Sequence, residues 1–93
     1  MKKEIEIYVA TKTEDFGDGV TATSTAFGDK AEAIAAMHEE AEEAITSCKE
    51  RADFKEERLR IEKEDMKCEV FYNTIPYVFV SIEISTQKII ANV

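Results

Sequence analysis

The chain has 93 residues, 44% hydrophobic and 34% charged, with 12 Lys and Arg against 20 Asp and Glu for a net charge of −8. That length holds a single domain with one small core, and the apolar content sets it apart from disordered tails. The acidity argues against direct nucleic-acid binding, which relies on Lys and Arg displacing counterions, and against an anionic membrane surface, while favouring solubility and basic protein partners.

The first residues, Met1-Lys2-Lys3-Glu4, lead into no apolar h-region, so no signal peptide is expected. The apolar stretch at residues 77–80 is far short of a bilayer span. Cys48 and Cys68 lack a Cys-x-x-Cys companion and read as free, buried thiols of a cytoplasmic protein.

Ile5, Ile7 and Val9 alternate with Glu4, Glu6 and Tyr8, the period of a strand with one buried face. Polar residues 12–19 end in Asp15-Phe16-Gly17-Asp18-Gly19, a reversal, and a second strand over residues 20–27 completes a hairpin. Thr21, Thr23 and Thr25 share one face of that strand, with Val20, Ala22 and Ala26 on the other.

Within the Ala- and Glu-rich run 28–52, Asp29 is placed to cap a helix, with Glu32 three positions on. Ile34, Met37, Ala41, Ala44, Ile45 and Cys48 recur at three- and four-residue steps to form one apolar stripe. Residues 54–66 fit a short polar strand through the alternation around Leu59 and Ile61, although their Glu and Lys content also tolerates helix. Strands follow at 67–72 and 77–85 around a turn at Asn73-Thr74-Ile75-Pro76, and the tail from Lys88 is apolar enough for a short edge strand.

The expected fold is α+β: one mainly antiparallel sheet of four or five strands with a long helix on one face, in the order β-β-α-β-β. A helix of about 22 residues is ~33 Å long, against ~23 Å for a seven-residue strand, so the helix should overhang the sheet. The tail or a second subunit would then cover its end. With Ile5, Ile7, Val9, Val78, Val80 and Ile82 assigned to the helix side, Tyr8, Phe71, Tyr77 and Phe79 share the open face as a candidate contact patch.

No constellation carries catalytic, cofactor or metal chemistry. His38 is the only histidine and lacks both co-ligands and a nucleophile in sequence reach. Asp15-Phe16-Gly17 copies the magnesium triplet of protein kinases without their other motifs, and the acidic turn lacks calcium-loop spacing. Glu62, Glu64, Asp65 and Glu69 are carboxylates from which a site could assemble, with nothing that separates them from solvated charge.

The expectation is therefore a non-enzymatic protein-interaction module, associating with itself as a homodimer or with another protein. The alternative is an acidic mimic of a nucleic-acid backbone, presenting Glu39, Glu40 and Glu43 to a basic DNA- or RNA-binding protein. In size, single-domain build and acidity the chain resembles phage and mobile-element inhibitors of the anti-CRISPR type.

Overall fold

The computed structural model describes residues 2–74 and 77–92. The chain forms β1 (Lys2–Asp15), β2 (Val20–Phe27), α1 (Lys30–Lys49), β3 (Leu59–Glu64), β4 (Lys67–Tyr72) and β5 (Val78–Asn92), with a 3-10 turn at Glu56–Arg58. The strands make one antiparallel sheet in the order β2-β1-β5-β4-β3 with α1 packed on one face, the α+β arrangement expected. The ambiguous stretch 54–66 resolves into the 3-10 turn and the polar strand β3. Ile75 and Pro76, in the turn expected after β4, lie outside the described residues, as does Val93 at the end of the tail.

Local chemistry accounts for the element ends. The Asp29 carboxylate accepts the Ala31 N–H at 3.0 Å and starts α1. Gly17 and Gly19 adopt φ of 94° and 137° in the β1–β2 turn, where a side chain would be strained. After α1, Tyr72 anchors the return of the chain. Its hydroxyl accepts the Lys55 N–H at 2.8 Å, its ring stacks on Phe54 at 5.6 Å, and the Arg51 guanidinium lies 5.2 Å from its centroid.

The core lies between α1 and the central strands. Ala33, Met37, Ala41 and Ile45 recur on one helix face and pack against Cys68 and Val70 of β4 and Val80, Ile82 and Ile84 of β5. Small alanines in that stripe let the helix approach the sheet closely, and the larger Met37 and Ile45 fill the space between.

The structure corrects two expectations. The first concerns length. β1 has 14 residues and β5 has 15, and they pair without interruption from Lys2↔Asn92 to Asp15↔Phe79. At ~3.3 Å per residue β5 runs ~50 Å, against ~30 Å for the helix. The sheet therefore overhangs the helix, and the molecule measures 59 × 24 × 16 Å. Residues 12–15 and 85–88 look like polar breaks in sequence. They stay extended because each lies against the other strand, as in Lys12↔Ile82 and Lys88↔Glu6. The tail expected as a separate edge strand is the far half of β5.

The second correction concerns facing. Val80, Ile82 and Ile84 are buried under α1, and their register partners in β1 are Glu14, Lys12 and Ala10. Tyr8 lies on that same side and packs against the core, while Ile5, Ile7 and Val9 lie on the uncovered face. Their alternation establishes that the three share a face and is silent about which one. Under the helix, β1 supplies the small Ala10 and the stem of Lys12.

Burial under α1 sets a graded expectation. Ile82→Ala should lower unfolding free energy by about 2–5 kcal/mol in urea titration. Ile61→Ala, on the same side but exposed on edge strand β3, should cost under about 1 kcal/mol. Equal costs would contradict this placement of the core.

Candidate interaction surface

Strand parity dictates what the uncovered face displays. At the arm end, where β1 and β5 run beyond α1, it carries Ile5 opposite Ile89, Ile7 opposite Gln87 and Lys3 opposite Ala91. Ile5 is 40% exposed and Ile89 47%, while Ile90, on the other side of the arm, is 70% exposed. The middle of the face is polar, with Thr11 opposite Glu83 and Thr13 opposite Ser81.

The far end is aromatic. Phe71 and Phe79 are register partners with ring centroids 6.4 Å apart, and Tyr77 lies 6.4 Å from Phe71. These rings partly cover one another, so Phe71 and Phe79 are half-buried. With Arg58, Asn73 and Thr74, Phe71 and Tyr77 line a shallow depression of about 600 Å³. Beside it Glu62 and Glu69 stand directly opposite each other, and Lys67 Nζ lies 3.5 Å from Glu69. Three of the four expected contact residues, Phe71, Tyr77 and Phe79, thus come together. Tyr8 does not join them: it lies on the helix side, its hydroxyl donating to Glu6 Oε1 at 2.6 Å.

The acidic helix face is partly neutralised from within. Lys12 Nζ lies 2.7 Å from Glu40 and 2.9 Å from Glu14, and hydrogen bonds to these carboxylates hold the ammonium pKa above its ordinary value. Lys63 reaches Glu42 at 3.3 Å. Glu39 and Glu43 remain exposed.

One juxtaposition escaped sequence reasoning. Cys68 Sγ lies 3.9 Å from His38 Nδ1, a Cys–His pair brought together by the packing of α1 on β4. The pair is not arranged as a nucleophile, because burial pushes the fully enclosed thiol upward. Burial raises Cys48 in the same way. The two cysteines are held apart, since Cys68 meets the helix at His38, ten residues or ~15 Å before Cys48. Among the described residues no group of three or more His, Cys, Asp or Glu is placed to hold a metal ion, and no helix is long and apolar enough to cross a membrane.

The chain matches no protein-family model, and comparison with curated proteins and with solved structures returned no similar protein.

The Tyr77 hydroxyl donates to Asp15 Oδ2 at 2.7 Å, and together with the Gly17 N–H it holds the Asp15 carboxyl below the usual carboxylate range. A depressed folded pKa means that this contribution is present at neutral pH and lost as pH falls through the folded value. In a Tyr77→Phe variant the Asp15 midpoint, followed by NMR titration, should move up towards the ordinary range. An unmoved midpoint would remove the tether between the aromatic end and β1.

Proposed function

We propose that this chain is a non-enzymatic protein-association module that presents the uncovered face of its sheet to a protein partner in the cytoplasm. The observation that carries this reading is a single-layer sheet whose open face bears apolar clusters at both ends, with acidic side chains beside the aromatic one. Apolar surface of this kind gains from exclusion of water, and flanking carboxylates select a partner by charge. The matching surface is an apolar ridge with Lys or Arg placed to reach Glu62, since Glu69 is already met by Lys67.

The acidic-mimic reading draws on Glu39 and Glu43, which remain exposed on α1, whereas Glu40 is already engaged by Lys12. A mimic needs a row of available carboxylates, and that engagement weakens the row.

Site-specific photocrosslinking separates the two readings. A photoreactive phenylalanine analogue at position 79 should yield a discrete protein adduct in cells, lost on adding Phe71→Glu, and the same analogue at position 39 should yield none. Adducts from position 39 alone, suppressed by high salt, would favour the mimic and overturn the open-face reading.

A further inference from the structure

Beyond α1 the protein continues as a two-stranded arm, and among the described residues neither of its edges has a neighbouring strand. β2 ends at Phe27↔Tyr8, leaving residues 2–7 of β1 with a bare outer edge. β4 reaches only Lys67↔Glu83, with one further bond from Ile84 N–H to the Met66 carbonyl at 2.8 Å, so residues 86–92 of β5 have the other. A two-stranded ribbon is marginally stable in water, and bare edges of this kind seek strands.

Charge distinguishes the two edges. A twofold axis joining like edges antiparallel keeps both helices on one side and matches even-numbered residues with even-numbered ones. On the β1 edge, a pairing centred on Lys3, Glu4 or Glu6 sets that residue against itself, and one centred on Ile5 sets Glu4 against Glu6. Each opposes like charges, although pairings centred on Lys3 or Glu4 also set Lys2 against Glu4 or Glu6, and the Glu4-centred one closes three hydrogen-bonded pairs where β5 centred on Ile89 closes four. The β5 edge carries one charge, Lys88, and pairings centred on Ile89 or Ile90 oppose none. Of these two, the Ile89-centred pairing engages more of the strand.

From this asymmetry we infer that the outer edge of β5, residues 86–92, binds the same edge of a second copy of this chain, in an antiparallel pairing centred on Ile89. Ile84 donates outward to Met66, so with unbroken register the N–H and C=O groups of Thr86, Lys88, Ile90 and Asn92 also point outward. Matching Thr86 with Asn92 and Lys88 with Ile90 then closes about eight main-chain hydrogen bonds. Ile89 meets its own copy in a non-hydrogen-bonded pair, where side chains approach most closely. On the other side, Lys88 keeps its ammonium on Glu4 of its own β1, 3.3 Å away, and stands opposite the exposed Ile90 of the second copy. Each incoming strand fills the lane ahead of the other copy's β4. The result is a continuous ten-stranded sheet with both open faces on one side, which deepens the proposed function and rests on it for the use of that face.

Proline at an outward-pointing position tests the pairing, since it deletes an edge donor and spares the bonds between β1 and β5. Light scattering over a concentration series should give wild type twice the 10.5 kDa chain mass, and Ile90→Pro one chain mass. Glu4→Pro, which burdens the opposite edge of the same arm, should remain dimeric, and Ile89→Cys should form a disulfide-linked dimer on oxidation. A wild type of one chain mass throughout overturns the inference, as do a dimeric Ile90→Pro variant or loss of the dimer in both proline variants. Photocrosslinking at position 79 reads the open-face proposal separately, so a monomer with adducts leaves that proposal standing while this one fails.

Discussion

The structure depends on the antiparallel ladder between β1 and β5. These strands lie at opposite ends of the sequence, yet they form the centre of the sheet and pair from Lys2↔Asn92 to Asp15↔Phe79. The hairpin partner β2 docks on one side and β4 with β3 on the other, and α1 seats on β5 and β4. Closing a ladder between segments this distant costs chain entropy before its contacts form. The covered half recovers that cost through Val80, Ile82 and Ile84 under the helix. The uncovered half has its ladder, its exposed isoleucines and the exposed ion pair of Lys88 with Glu4.

That division arranges the functional surfaces. One side of the sheet is sealed by an alanine-rich helix stripe, and the other is left as a single layer. Strand parity then places Ile5, Ile7 and Ile89 at one end of the open face and Phe71, Tyr77 and Phe79 at the other. Self-pairings of the β1 edge oppose like charges at one position or more and engage a shorter edge, while the seven outer residues of β5 carry only Lys88, which is held by Glu4. A surface for binding and an edge for self-pairing thus arise from one overlong pair of strands.

Local chemistry was legible in the sequence, and long-range register was not. Asp29 and the apolar stripe from Met37 to Ile45 announce α1 because a cap and a 3.6-residue period act within one element. Cys68, Val70 and Tyr72 announce β4 in the same way. The alternation of Ile5, Ile7 and Val9 identifies a strand, but its facing depends on which residues of β5 lie opposite. Thr86, Gln87 and Lys88 hide the continuity of β5, because pairing rather than burial keeps them extended. The same blindness reversed the overhang and misplaced Tyr8. His38 and Cys68, thirty residues apart, meet only through the packing of helix on sheet.

Residue-resolved amide hydrogen exchange along the arm, at high and at low protein concentration, tests the central ladder and its free edge most directly. The N–H groups of Ile89 and Ala91 face β1 and should exchange slowly at both concentrations. Those of Thr86, Lys88, Ile90 and Asn92 should be slow only where copies pair. Rapid exchange at Ile89 and Ala91 would contradict the arm itself, and concentration-independent exchange at the outward-facing positions would contradict its use as an edge.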